Sequence, residues 1–333
     1  MPGSQAVRML TSIAAACAAL LVSTSCFAAA SEWRPTRNIE VIIGTPAGGP
    51  LDMTGRLIQK YLERTNAGNA VIAINKPGGG HVIAMQYLNQ HAGDAHYVSM
   101  ALPNLLTNRI TGSHPLTYTD VTPLALLTSE YIGMWVRPDS PIKTGTDLIA
   151  HLRAKPESLT FAITNPGSGN HIAAGMVLKA GGVDLKKVVF VPFKGSAQTT
   201  VAVMGGHVDV LMATPGSALK HATSGKLRAL AVTAPKRLGG EAASIPTWKE
   251  LGIDAVTANW RSLVGPKGLT PAQIAYWDQT LAAMVKSPEW QQALERYQWE
   301  DEYLNSAGAL RFMQEEYKKL ESLLGELGEV KPR

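Results

Sequence analysis

Short apolar runs rich in β-branched residues alternate with helical patterns from Ile39 onward, and Gly/Pro loops join them. The first unit reads IEVIIGT, a loop at 46–51, and a helix expected to open near Asp52, whose carboxylate suits an N-cap. The second unit reads AVIAIN, a glycine loop at 76–80, and a helix from His81, and the strand HYVSMA follows. This alternation predicts an α/β fold built from parallel units.

A second set of alternating elements begins near Tyr131. The pattern predicts strands at 131–136, 159–163, 188–192 and 208–213, and helices near 146–154, 170–179, 196–204 and 215–223. The run at 227–233 is typical of a strand that returns to the first set, and 258–266 supplies one more strand. Thr270 opens a capping box with proline at the first helical position, and Ser306 is expected to cap the last helix.

The first thirty residues follow a different pattern. Arg8 is their only charge, the stretch from Met9 to Val22 is almost entirely small or apolar, and small residues at 28–30 offer a cleavage site. These features predict a secretory signal peptide cut near Ala30, so the mature protein would be exported. The apolar stretch is shorter than the roughly 20 residues that a membrane span needs.

Cleavage near Ala30 would remove both cysteines, Cys17 and Cys26. The mature chain would then carry no disulfide, thiolate nucleophile or cysteine metal site. Lipid attachment at Cys26 is the alternative, but Ser23 stands three residues before it, where a lipoprotein signal usually has leucine. We therefore favour a soluble, unlipidated protein.

Composition adds the domain count and argues against one class of partner. A chain of 333 residues with 45% apolar and 17% charged residues is long enough for two domains. Its formal charge of +5 falls to +4 when Arg8 is removed (5 − 1), and the basic residues are scattered along the chain. We expect no nucleic-acid partner.

Motifs for catalysis or cofactor binding do not assemble in this sequence. There is no G-x-S-x-G elbow, no H-E-x-x-H pair and no P-loop, and the eight histidines are spread singly. The glycines at 78–80 lack the third glycine of a dinucleotide loop. We therefore predict no enzyme, no metal and no cofactor, with an exported hydrolase using Ser168 and His171 as the alternative of a different class.

Five loops at expected carboxyl ends of strands are rich in Gly, small hydroxyls or amides, and each leads into a helix: 45–52, 76–81, 102–108, 164–171 and 193–196. Ligands of open α/β sheets bind at that edge, where helix N-termini favour anions. We expect a site for a small carboxylate there. The candidate ligand-binding residues are Thr45, Ala47, Gly48, Gly49, Leu51, Asp52, Pro103, Asn104, Asn165, Gly167, Ser168, Asn170, His171, Lys194, Gly195, Ser196 and Thr214.

Several of these segments resemble one known family. The run at 45–52 resembles its P-G-G-x-x-D loop, 75–80 is similar to its N-R-P-G-A-G-G loop, and 167–173 to its G-S-P-S-H-L-A segment. The most specific match runs from Val191 to Arg237. On these residues the chain, over roughly 33–325, is identified as a member of the tripartite tricarboxylate receptors, also called Bug receptors.

The resemblance implies a type II periplasmic-binding-protein fold with a ligand cleft between two α/β lobes. The first lobe would comprise 31–130 and 231–333, and the second 131–230. The implied function is to bind a small organic carboxylate by lobe closure and deliver it, as a monomer, to integral-membrane permease subunits. A receptor that presents its ligand to a histidine-kinase sensor is the alternative.

Two departures from the family pattern bear on the ligand. Pro50 stands where many relatives have Ser or Thr, so the first loop lacks one hydroxyl and one N–H. Ala213-Thr214 stands where an Asp-Asn pair is frequent, and the loss of the acidic residue makes an amino-acid ligand less favoured. The sequence leaves two further roles open. Trp260 could be a cleft wall or a core residue, and Arg261 could pair with a ligand carboxylate or lie on the surface.

Overall fold

Two β-sheets carry the fold in a computed structural model that describes residues 32–65 and 69–330. The predicted signal peptide, with Cys17 and Cys26, lies outside the described residues. The strands, numbered in chain order, are β1 Ile39–Ile43, β2 Val71–Asn75, β3 Tyr97–Ala101, β4 Val121–Tyr131, β5 Gly133–Val136, β6 Thr160–Ile163, β7 Val189–Pro192, β8 Val210–Ala213, β9 Arg228–Val232, β10 Ala258–Pro266 and β11 Glu300–Asn305. The α-helices, numbered likewise, are α1 Pro50–Thr65, α2 Val82–Asn89, α3 Asn104–Ile110, α4 Gly145–Ala154, α5 Gly169–Ala180, α6 Ser196–Met204, α7 Pro215–Thr223, α8 Pro271–Met284, α9 Pro288–Tyr297 and α10 Ser306–Glu326.

The two sheets repeat one strand arrangement. The first sheet runs β2-β1-β3-β10-β4-β11, and the second runs β7-β6-β8-β5-β9. In each, three parallel strands are followed by an antiparallel one, β10 beside β3 and β5 beside β8. The parallel strand β1, IEVII, is apolar and buried except at Glu40, as expected where helices cover both faces of such a sheet. The predicted α/β fold with two lobes is confirmed.

The hydrophobic pattern of the sequence did not predict two strands of the first sheet, β4 and β11. The eleven-residue β4 contains a proline and a long apolar run without alternation, and β11 is a polar edge strand, EDEYLN. Neither shows the period of two that identifies a half-buried strand. Together with β10 they make the first sheet mixed rather than purely parallel.

Helix starts differ from the sequence expectations at three places. The first helix begins at Pro50, so Asp52 is its third residue and not its N-cap. A helix already starts at Asn104, inside the segment 102–108 that was expected to be a loop. Ser306 is the first residue of α10, and the capping acceptor is Asn305, whose side chain accepts from the Gly308 N–H at 3.0 Å. The Thr270 capping box is confirmed.

The chain crosses between the sheets after β4 and again before β10, and Thr233 ties these crossings together. Its hydroxyl donates to the Thr257 carbonyl at 2.6 Å and accepts from the Ile132 N–H at 3.0 Å. The side chain is fully buried. The two crossings are therefore held side by side between the sheets.

The segment between Thr233 and Thr257 packs on the second sheet. Trp248 and Ile253 belong to the same apolar cluster as Met134 of β5. We therefore propose a second lobe that runs from about 132 to 257, whereas the sequence analysis placed this boundary near 230. The C-terminal helix α10 belongs to the apolar cluster of the first sheet.

Candidate ligand-binding cleft

The candidate residues lie at the carboxyl ends of parallel strands from both sheets. In the first lobe, β1 is followed by Thr45, Ala47, Gly48 and Gly49, and the first turn of α1 contains Leu51 and Asp52. Strand β3 is followed by Pro103 and Asn104. In the second lobe, β6 is followed by Asn165, Gly167, Ser168, Asn170 and His171. Strand β7 is followed by Lys194, Gly195 and Ser196, and β8 by Thr214.

The loop after β1 is organised by the buried carboxylate of Asp52. One of its oxygens accepts from the Gly48 N–H at 2.9 Å and from Arg56 at 3.0 Å, and the other accepts from the Asn75 amide at 2.8 Å. Burial opposes ionisation, but these hydrogen bonds outweigh it and hold the pKa of Asp52 below its usual value. Asp52 thus shapes the loop from inside the helix rather than from the cap position.

The two glycines of this loop, Gly48 and Gly49, differ in backbone conformation and surroundings. Gly48 has a φ of 88°, in the left-handed region that favours glycine. Gly49 has no such φ, and a Cβ at that position would meet no atom within 4 Å. The tight-turn explanation therefore holds for Gly48 alone, and the space above Gly49 is open.

After β2 the chain passes through four consecutive residues with positive φ, Gly78, Gly79, Gly80 and His81. The last is not a glycine, and its φ of 75° is strained for a side chain with a Cβ. Its ring lies against Gly44, and burial lowers the pKa of His81 to about 4. The Nδ1 atom has no hydrogen-bond partner among the described residues. Sequence reasoning missed His81, although it directly follows three glycines.

Side chains of α3, which follows β3, bring the two lobes together. Asn108 donates to the Gly80 carbonyl at 2.9 Å, and a Cβ on Gly80 would lie 3.5 Å from both the Asn104 and Asn165 amide nitrogens. Asn104 is buried, and its amide nitrogen lacks a hydrogen-bond partner in the described part of the chain. Thr107 donates across the cleft to the carbonyl of Gly167 at 2.7 Å.

The loop after β6 is held by its own side chains. The Ser168 hydroxyl donates to the Asn165 carbonyl at 2.6 Å and also contacts the Asn170 side-chain oxygen. His171 accepts from the Gly167 N–H at 3.0 Å through Nδ1, and burial lowers the pKa of this histidine to about 4. Ser168 and His171 share no hydrogen bond in this arrangement, which is that of a formed loop and not of a nucleophile with its base.

The remaining candidates line the starts of α6 and α7. Lys194 is exposed, and its backbone N–H donates to the Gln198 side chain at 3.1 Å. Gly195 is the N-cap of α6, followed by the exposed Ser196. Thr214 is the buried N-cap of α7. The geometry brings Asn104, Asn165 and Gly167 together and leaves Lys194 and Ser196 on the surface.

Helices that start at this edge differ from the others in how they begin. No N-cap side chain of α2, α3, α5, α6 or α7 accepts a hydrogen bond from a backbone N–H of its helix. Those of α4, α8, α9 and α10, which start elsewhere, all do. In α5 the Asn170 side chain accepts from the His171 N–H at 3.1 Å, while within their helices the Ser168 and Thr214 hydroxyls bond only to side chains. The N-cap side chains therefore leave first-turn N–H groups available at this edge, where the positive ends of the helix dipoles favour an anion.

The positions of Trp260 and Arg261 on β10 are now defined. Trp260 is a core residue whose ring packs edge-on against Phe312 of α10, with ring centroids 5.7 Å apart. Arg261 is not on the surface, because only 1% of it is exposed, and it pairs with the buried Glu130.

Within 32–65 and 69–330, no group of three His, Cys, Asp or Glu side chains is arranged to hold a metal ion. A helix with the length and apolar character of a membrane span is likewise not found in these ranges.

The fold and the converging loops define a two-lobe binding protein of the periplasmic type. Residues 55–329 match the family described as the tripartite tricarboxylate transporter family receptor, and the chain belongs to that family. The predicted membership in the Bug receptors is confirmed.

Sequence relatives agree with this assignment. The UPF0065 protein in the gbd 5′ region of Cupriavidus necator is 31% identical over 322 residues, which are 96% of both chains. BugT of Bordetella pertussis is 26% identical over 258 residues, covering 76% of this chain and 78% of BugT.

Solved structures show the same fold. A Rhodopseudomonas palustris protein determined with adipate has a TM-score of 0.79 at 25% identity and covers 90% of this chain and 99% of its own. The periplasmic binding protein BugD has a TM-score of 0.77 at 22% identity and covers 90% and 100%.

Proposed function

We propose that this protein is a periplasmic receptor that binds a small organic carboxylate between its lobes and delivers it to a membrane permease. It would bind its ligand without converting it. Membership in the receptor family supports the general role, and the adipate found in one relative supports a carboxylate ligand.

The observation that carries the proposal is the set of helices without side-chain caps at the cleft edge. Three of them, α5, α6 and α7, start on the second lobe, and two, α2 and α3, start on the first. A carboxylate between the lobes would accept from N–H groups on both sides. Each hydrogen bond to a charged group contributes roughly 1.5–3 kcal/mol, so four or five reach a micromolar affinity of about 8 kcal/mol.

Closure would act through contacts that already span the cleft. Thr107 reaches Gly167, and Gly80 lies beside Asn165, so the segments after β2, β3 and β6 meet around the proposed site. The paired crossing at Thr233 supplies the hinge. A ligand that bridges the two sets of loops would favour the closed arrangement because it binds that arrangement more tightly.

The test is to identify what the purified protein retains and to measure its response to defined acids. Denaturing extraction followed by mass spectrometry should recover an organic acid with its mass unchanged. Adipate at about 100 times its Kd should raise the free energy of unfolding by roughly 2.7 kcal/mol, whereas the neutral diamide of adipic acid should not. No melting shift across dicarboxylates, tricarboxylates, amino acids and aromatic acids at millimolar concentration would contradict the proposal.

Export and delivery need separate measurements. Intact-mass analysis of protein from a Gram-negative host should show a mature chain that begins near Ser31, and an acylated Cys26 would contradict this. Deleting the gene for this receptor should abolish uptake of the identified acid. Expressing additional permease without the receptor should not recover that uptake. Uptake that persists without the receptor would argue against delivery to a permease.

A further inference from the structure

Arg261 holds a buried positive charge whose hydrogen-bonding capacity is only partly used. Its Nη2 atom donates to one oxygen of Glu130, whose other oxygen accepts from the Trp299 indole. The guanidinium lies over the Trp299 ring, 4.7 Å from its centre. These contacts fix the guanidinium in one orientation.

The other two nitrogens of Arg261, Nε and Nη1, are buried and make no hydrogen bond to any residue that the structure describes. Guanidinium groups stay protonated in proteins, and leaving a buried charged donor unpaired is unfavourable. A buried arginine with unused donors therefore needs an acceptor that does not belong to the described chain. The acceptor that matches a guanidinium best is a carboxylate.

Arg261 lies where the first lobe meets two helix starts of the second. Two residues earlier on β10, Asn259 occupies the space that a Cβ on Gly169 would need, at the start of α5. Its ion-pair partner Glu130 approaches Gly216, the second residue of α7, with 3.9 Å between its Oε1 and the position of a Cβ. The N-cap side chain of neither helix accepts a hydrogen bond from a helix N–H.

We propose that Arg261 is a ligand-binding residue, and that its Nε–H and Nη1–H groups donate to a carboxylate held against the starts of α5 and α7. This role rests on the proposed carboxylate receptor and extends it to a residue outside the loops. Glu130 positions the guanidinium and neutralises it when the cleft is empty. The site would then select a ligand with an ionised carboxylate at this end over one with an amide there.

The experiment compares adipate binding by calorimetry in wild type, Glu130→Gln and the double variant Glu130→Gln/Arg261→Met. The double variant avoids an unpaired buried charge, and the amide oxygen of the introduced glutamine still offers an acceptor to Trp299, so we expect it to fold. It should bind adipate more weakly by at least the roughly 10- to 150-fold expected for losing one of its two charge-assisted hydrogen bonds. Glu130→Gln alone keeps the arginine, and its amide oxygen still offers an acceptor, so this variant should lose less affinity for adipate than the double variant.

A second readout separates ligand contact from structural support. Wild type should prefer adipate over its half-amide, and the double variant should lose most of that preference because no guanidinium remains to distinguish the two ends. Arg237→Met/Glu250→Gln, which removes an exposed ion pair, is the matched control. It should change neither the affinity for adipate nor the preference for adipate over its half-amide.

Three results would overturn the inference. The double variant could bind adipate with wild-type affinity, or Glu130→Gln could lose as much affinity as the double variant, or the preference for the diacid could survive in the double variant. Each of these results would mean that Glu130 and Arg261 contribute to packing and not to ligand binding. If wild type itself binds neither adipate nor any other organic acid, the proposed function fails, and the role of Arg261 fails with it.

Discussion

The hydroxyl of Thr107 donates to the carbonyl of Gly167 at 2.7 Å, and this bond joins the helix after β3 to the loop after β6. Thr107 is fully buried, and Gly167 has a φ of 73°. A Cβ on Gly167 would lie 2.9 Å from the Thr107 side chain, so glycine is required for this approach. The two lobes are therefore in direct contact beside the proposed site.

Replacing Thr107 by Val should weaken ligand binding without unfolding the protein. Val has nearly the same shape but no donor, so the closed arrangement loses one hydrogen bond worth about 0.5–1.5 kcal/mol, or roughly 2- to 10-fold in affinity. Thr111→Val is the control, since that hydroxyl accepts or donates only within its own segment. Equal affinities of Thr107→Val and wild type for adipate would show that this bond plays no part in closure.

Much of the fold was predictable because its parallel strands are short, apolar and bounded by Gly/Pro loops. The strands β6, β7 and β8 and the helices that follow them lie within a residue or two of their predicted positions. The strand β11 was not predictable, since its sequence is polar and it pairs only at the sheet edge. The course of 233–257 also depends on tertiary packing, because Trp248 fits the second core.

The candidate site was predictable as a set of loops but not as a set of contacts. Loop composition identifies the edge of the sheet, because every parallel strand ends there. It cannot show that the Ser168 hydroxyl is directed into its own loop, or that Arg261 is buried beside Glu130. Those facts arise from pairing between β4 and β10, which are more than a hundred residues apart, and from the local turn after β6.

Asp52→Asn should lower both stability and ligand affinity. The carboxylate accepts three hydrogen bonds that fix the Gly48 loop, and an amide cannot accept at both of its heavy atoms. We expect a loss of about 1–3 kcal/mol in the free energy of unfolding by urea. The exposed Asp254→Asn is the control. A variant as stable as wild type would mean that Asp52 does not organise this loop.

Stability should fall as the pH drops from about 6.5 towards 4. Burial lowers the folded-state pKa of His81 and of His171 to about 4, so the unfolded chain binds more protons in this window and gains stability relative to the folded one. Each histidine contributes up to about 3 kcal/mol, present above pH 6.5 and lost as the pH approaches 4. Urea unfolding at a series of pH values measures this loss.

His81→Gly should remove about half of that acid sensitivity and also relieve the strained φ of 75°. Glycine adopts this conformation freely, which offsets part of the packing lost with the ring. The exposed His207→Gln is the matched control and should retain the wild-type pH dependence. If His81→Gly is as acid-sensitive as wild type, the buried ring does not govern stability in this window.

Gly49→Val tests the loop after β1 at a position where a Cβ has room in the folded protein. A Cβ at Gly49 meets no atom within 4 Å, and its φ is not in the left-handed region, so the variant should melt like wild type. The open space is where we place the ligand, and a β-branched side chain there should block the approach of a carboxylate to the backbone. We expect adipate affinity to fall more than 100-fold, on the order of 3 kcal/mol or more.

Gly239→Val is the matched control, since Gly239 also faces open space with a φ of −84° but lies outside the cleft loops. Calorimetry on both variants decides the point: if Gly49→Val and Gly239→Val bind adipate equally well, the ligand does not approach the backbone at Gly49.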